Sequence, residues 1–190
     1  MDTDNLTTEE KRFLIKLARQ ALEHGVRAES LPPLDLETLP PRLREQGASF
    51  VTLTKGDDLR GCIGTLEPYQ SLAEDVREHA IAAALNDFRF PPVQPQELAD
   101  IHIEVSRLTV PVPLEYTTPE DLLAKLRPAV DGVVLRDGWR RATFLPQVWE
   151  KVTDKAEFLD HLCLKMGASP DLWRKEHLDV LIYQVEEFHE

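Results

Sequence analysis

Cysteine is scarce in this chain: Cys62 and Cys163 are the only two in 190 residues. Two thiols cannot form a disulfide framework in a chain this long, which points to a reducing compartment. Positive charge is also in deficit. Twenty-two lysines and arginines face 34 acids, for a formal net charge of −12. Such a surface repels nucleic-acid phosphate and anionic lipid unless basic residues gather locally. No apolar run reaches the length of a membrane span. The opening Met1-Asp2-Thr3-Asp4-Asn5 has neither the cationic flank nor the apolar stretch of a signal peptide. Cofactor fingerprints are missing as well: there is no phosphate-binding Walker loop, no G-x-G-x-x-G and no C-x-x-x-C-x-x-C run. These absences describe a cytoplasmic protein with no cofactor, metal, nucleic acid or membrane signalled in its sequence.

What is present is ordinary globular material, 42% hydrophobic and 29% charged, enough for one domain spanning 1–190 and built as two packed subdomains. Thr7-Thr8-Glu9-Glu10 is a capping box that opens a helix from about Leu6 to His24. Leu14, Leu17, Ala18 and Ala21 form its apolar stripe, and Gly25 is placed to stop it. Pro32-Pro33 and Pro40-Pro41 make the next stretch irregular, with a short helical turn around Arg42–Gln46. Strand-like Ala48–Lys55 turns through Gly56-Asp57-Asp58 into Leu59–Thr65, a hairpin. Ser71-Leu72-Ala73-Glu74 caps a helix that runs to about Leu85. Ile101, Ile103 and Val105 alternate with His102, Glu104 and Ser106 as a strand with one polar face. A short helix starts at Thr118-Pro119, a hairpin surrounds Asp137-Gly138, and Asp154–Gly167 is a capped helix. Leu178–Phe188, apolar on both faces, reads as one interior strand. Hairpins interleaved with single helices predict an α+β fold, mainly antiparallel sheet flanked by helices.

Three stretches stand out: Leu59-Arg60-Gly61-Cys62-Ile63-Gly64-Thr65, Asp87-Phe88-Arg89-Phe90-Pro91-Pro92-Val93 and Ala142-Thr143-Phe144-Leu145-Pro146-Gln147-Val148. With Ile103-Glu104-Val105-Ser106 between them, they resemble the AmmeMemoRadiSam system protein A family, or AMMECR family, over almost the whole chain. The family pattern usually has proline where this chain has Phe88, so the turn there is expected to differ. The resemblance implies one mixed α/β domain of two packed subdomains. It also implies association with a Memo-like protein and a radical S-adenosylmethionine protein. It brings no agreed catalytic activity.

Read as a regular strand, the motif puts Arg60, Cys62 and Gly64 on one face and the core pair Leu59 and Ile63 on the other. Arg60 would then stand beside Cys62, and a neighbouring cation favours the reactive thiolate. Cys62 and Arg60 are the candidate catalytic residues. Gly61 and Gly64 leave the backbone uncovered, open to a bulge or to close approach by a ligand. Together with Thr65, Arg89 and Glu104 they are the candidate substrate contacts. The competing reading is structural: free cysteine is commonly buried, and strand glycines often just relieve packing. His102 and Glu104 share a polar face at acid/base spacing, or are simply solvated. Arg140 and Arg141 collect an anion or pair with surface acids. Cys163 lies on the apolar stripe of Leu159, Leu162 and Met166 and belongs to the core. Gly61-Cys62-Ile63-Gly64 also spells the G-x-x-G of an RNA-binding loop, but strand flanks and an acidic chain argue against that. Two functions follow: an enzyme or enzyme subunit using a cleft at Arg60 and Cys62, or a non-catalytic binding or scaffold protein whose motif docks a partner.

Overall fold

A computed structural model of the chain describes residues 5–190, and the expectation for the first four residues lies outside them. The fold is α+β with two antiparallel sheets, and the chain divides into two compact units.

The first unit spans residues 5–108 and 186–190. Helix α1 (Thr8–Val26) starts at the predicted capping box: the Thr7 hydroxyl accepts the Glu10 N–H, and the Glu10 carboxylate accepts the Thr7 N–H at 2.8 Å. Gly25 does not end it. A Cβ at Gly25 would sit 3.1 Å from Ile81, so this glycine lets two helices approach while α1 runs on to Val26. Helix α2 (Pro41–Arg44) is the short turn expected in the proline-rich segment. Strand β1 (Gln46–Lys55) and strand β2 (Asp58–Gly64) form the hairpin, with Gly56 in the left-handed conformation. A two-residue strand β3 (Gln70–Ser71) leads into α3 (Leu72–Leu85), capped by Ser71 and Glu74. Strand β4 (Ile101–Leu108) pairs antiparallel with β1.

The second unit spans Thr109–Val185. It contains β5 (Val112–Pro113), α4 (Pro119–Lys125), β6 (Gly132–Asp137), β7 (Arg140–Phe144), α5 (Lys155–Lys165), α6 (Leu172–Lys175) and β8 (Asp179–Tyr183). Its sheet order is β5-β8-β6-β7. Trp149, Phe158 and Trp173 fill the core, with the Trp149 and Phe158 rings stacked at 3.6 Å. Cys163 is fully buried there, and burial pushes its thiol above the usual range.

The chain then returns as β9 (Val185–His189), which completes the first unit's sheet in the order β2-β1-β4-β9, with β3 joined to β1. The single strand expected over Leu178–Phe188 is therefore two strands in two sheets. The break falls at Gln184, whose N–H goes to the Thr109 hydroxyl at 2.9 Å and not into a ladder. Apolar residues on both faces of that stretch reflect two successive cores.

In the first unit one sheet face is apolar. Val51, Leu53, Ile103 and Val105 point from β1 and β4 into a core closed by α1 and α3, through Leu14, Ala18, Ala21, Val76, Ala80 and Ala83. Alanines on the helices allow close packing. The opposite sheet face carries the polar residues, and the candidate site is there.

Candidate functional site

The register of the hairpin decides what this face displays. Lys55 pairs with Asp58 and Thr54 with Leu59, as a two-residue turn dictates, but Leu53 pairs with Gly61 and Thr52 with Cys62. Arg60 is the extra residue of a β-bulge. Since the side-chain period of a strand is two, one extra residue reverses the faces beyond it. Without the bulge Cys62 would lie opposite Val51, a core residue with no exposure. With it, Cys62 lies opposite Thr52 and is half-buried on the polar face.

The bulge also corrects the expected core pair. Ile63 packs against the core, but Leu59 is 41% exposed and stands on the same face as Cys62. Through β1 and β4 the face extends further, since Thr52 is opposite Glu104 and Thr54 opposite His102. Two rows result: Cys62–Thr52–Glu104, and Leu59–Thr54–His102. Neighbours within a row are one strand spacing apart, about 5 Å. The Thr52 hydroxyl donates to the Cys62 sulfur at 3.3 Å.

Arg60 does not turn to the thiol. Its guanidinium grips Glu97 with two bonds, Nε to Oε1 at 3.0 Å and Nη2 to Oε2 at 2.9 Å, and gives a third to the Pro91 carbonyl at 3.0 Å. The side chain is only 12% exposed. This bidentate pair, with the Gln94 N–H, holds Glu97 down to about 2. Arg60 is thus a strut from β2 to the proline-rich segment after α3. The expectation that it flanks the thiol assumed regular alternation, which the bulge breaks.

The cation bonded to the Cys62 backbone is Arg89. It donates to the Cys62 carbonyl at 3.3 Å and to both oxygens of Asp87, at 2.9 and 2.6 Å. Asp87 in turn accepts the Cys62 N–H at 2.9 Å and the Arg89 N–H at 3.1 Å. The Arg89 fork, followed by those two N–H groups, holds the almost fully buried Asp87 carboxyl far below the usual carboxylate range despite its burial. Asp87 raises Arg89 in return. Both backbone groups of Cys62 are therefore clamped by a buried carboxylate and its partner arginine. Phe88, between them, is 94% exposed.

The glycines face the protein's own atoms. A Cβ at Gly61 would fall 2.0 Å from the Ala83 carbonyl oxygen, and one at Gly64 would fall 2.4 Å from both the Phe50 ring and the Ser49 carbonyl. They admit α3 and β1 where the sequence suggested access for a ligand. Thr65 donates its N–H to Ser49 at 3.0 Å and its hydroxyl to the Glu67 carbonyl at 3.2 Å. Behind the motif strand, Ser49 donates to Asp75 at 2.6 Å, and His79 Nδ1 lies 3.2 Å from the same oxygen, all three residues buried.

Cys62, Glu104 and His102 thus share one face, with Thr52 between Cys62 and Glu104, while Arg60, Gly61, Gly64 and Thr65 serve to build it. Arg89 does both: it clamps Cys62 and remains 46% exposed. Sequence reasoning missed Thr52, Asp87 and Glu97. Asp87 had a signal, an acid two residues before an arginine in a proline-rich turn. Arg140 and Arg141 lie in the second unit, where Arg140 pairs with Asp137. Among the described residues no three His, Cys, Asp or Glu are grouped to hold a metal ion, and no helix is long and apolar enough to cross a membrane.

Relatives of this chain share nearly its whole length. A protein of Methanothermobacter thermautotrophicus is 44% identical over 186 residues, covering 97% of this chain and 96% of its own. Protein MK0488 of Methanopyrus kandleri is 42% identical over 195 residues, covering 98% and 91%. The crystal structure of uncharacterized protein PH0010 from Pyrococcus horikoshii matches with a TM-score of 0.76 at 36% identity, over 97% of this chain and 93% of that one. The family model AMMECR1 matches residues 15–188, and the chain belongs to the AMMECR1 family.

Proposed function

We propose that the polar face around Cys62 is a reaction site and that the chain acts as an enzyme or enzyme subunit on a small or protein-borne substrate. In this reading Cys62 is the nucleophile. Glu104 and His102 exchange protons with the substrate, and Leu59 offers it an apolar contact. Arg60, Asp87 and Arg89 are positioning residues. The observation that carries the reading is the bulge at Arg60, which lifts Cys62 out of the core and delivers it to a face already holding a hydroxyl donor, a carboxylate and an imidazole. No complete triad is assembled within the face, so we further propose that activity is expressed with the Memo-like and radical S-adenosylmethionine proteins that the family resemblance implies, in the cytoplasm.

Iodoacetamide labelling followed by peptide mass spectrometry tests this. Cys62 in the native protein is expected to alkylate faster than an unstructured cysteine peptide, and to slow in Thr52→Val. Cys62→Ser and Glu104→Gln are each expected to fail to complement a deletion strain. Full complementation by Cys62→Ser would end the reading.

One observation favours a second function, a non-catalytic binding protein: Phe88 projects into solvent from the clamp beside Cys62. A docking surface needs such an aromatic anchor. On that reading Phe88→Ala abolishes co-purification with the partner proteins while Cys62→Ser is silent. Enzyme action predicts the reverse ranking.

A further inference from the structure

Along α1, Lys11, Arg12, Ile15, Lys16 and Arg19 fall on one side of the helix. With Phe188 of β9 and the adjoining Glu190 they line a cleft of about 530 Å³ in the first unit. Two of the four cations are already engaged. Lys11 lies 2.7 Å from the Glu186 carboxylate. Arg19 donates to Glu190 at 2.8 Å and to the carbonyls of Leu98 and Ile101 at 3.2 and 2.6 Å. These pairs stiffen the walls. Arg12 and Lys16, one helical turn apart on the exposed rim, have no such partner among the described residues.

Beneath that rim the surface is apolar, with Phe188 buried and Ile15 half-buried. The size falls within the range of small-molecule sites, roughly 300–1,000 Å³. The charge is the telling feature. A chain carrying −12 repels anions in general, yet this cleft gathers four cations, of which Glu186 and Glu190 engage Lys11 and Arg19 and leave Arg12 and Lys16 for a ligand. A fully hydrated ion such as phosphate gains nothing from Ile15 and Phe188. An uncharged apolar molecule gains nothing from Arg12 and Lys16. A ligand carrying both features satisfies the site.

We propose that this cleft binds a small organic anion with an apolar body, a medium-chain carboxylate. Its carboxylate would lie between Arg12, whose planar fork suits two oxygens, and Lys16. Its chain would lie along Ile15 and Phe188. The site is separate from the Cys62 face and stands whether or not that face is catalytic.

Isothermal titration of the full chain with octanoate, at low ionic strength, tests the proposal. Saturable one-to-one binding is expected, weakened by about tenfold or more in the double variant Arg12→Glu, Lys16→Glu. The control Lys175→Glu, on α6, is expected to bind as the parent does. Acetate, which lacks the chain, and 1-octanol, which lacks the charge, are both expected to bind far more weakly. Circular dichroism verifies that the double variant remains folded. The proposal is overturned if octanoate does not saturate, if the double variant binds it equally well, or if acetate or phosphate binds as tightly. It is also overturned if the parent is a dimer that this double variant separates, since a second acidic copy would then be the occupant.

Discussion

Gly61 meets the Ala83 carbonyl oxygen so closely that a methyl group at 61 would lie 2.0 Å from it, and the obstacle is backbone. Either β2 or the end of α3 must then shift. Gly61→Ala is expected to lower stability by about 3 kcal/mol, read as a fall in the urea midpoint at unchanged slope. Asp87 is the other single-residue test. Asp87→Asn removes the charge of a buried carboxylate that serves two N–H groups and one arginine fork; because the Arg89 left behind is 46% exposed and stays solvated, the expected cost is about 2 kcal/mol. At this scale the site was only partly legible. Cys62, His102 and Glu104 were visible because each occurs at a recognisable place in a strand pattern. Glu97 was not, and Asp87 only by its place two residues before Arg89, because the role of each exists only once the segment after α3 folds back onto β2. Cys163 was readable from helical spacing alone. Its burial and raised thiol predict that it resists alkylation at neutral pH in the folded chain and labels only in denaturant.

Whole elements were easier to read than their junctions. Both capping boxes form as predicted, since a hydroxyl and a carboxylate three residues apart satisfy helix N–H groups using local sequence only. Ser71→Ala is expected to destabilise by about 1 kcal/mol, measured by thermal unfolding. The Arg60 bulge was legible only as an option that Gly61 and Gly64 left open, because turn chemistry at Gly56-Asp57 sets the register only as far as Leu59. What shifts it afterwards is the set of anchors that β2 makes with Glu97, Asp87 and Ala83. The division of Leu178–Phe188 into β8 and β9 was hidden for a related reason: a stretch that serves two cores in turn has the apolar density of one buried strand.

For the whole molecule, the two most strongly depressed carboxylates, Asp87 and Glu97, predict how stability responds to acid. Asp87 and Glu97 titrate at ordinary values of 3.8 and 4.5 when unfolded, and lower in the fold, Glu97 at about 2. In the window from about 4.5 down to 2 and below, the unfolded chain therefore binds more protons than the native one. Their stabilisation is complete above the window and is lost as pH falls through it. A urea titration repeated across this range is expected to show a falling midpoint, with a shallower fall in Glu97→Gln. The overall α+β class was legible because hairpin and helix signals alternate without a βαβ rhythm, but the assignment of β9 to the first sheet was not, since that pairing joins residues far apart in sequence. The clamp on Cys62 has one more consequence, for solubility. Strand β2 is the end of its sheet, and an end strand with bare amides and carbonyls recruits other chains into intermolecular β-structure. Asp87 and Arg89 occupy both groups at Cys62 as a neighbouring strand would, so the same two side chains that hold the Cys62 backbone also block strand addition at that point of the edge.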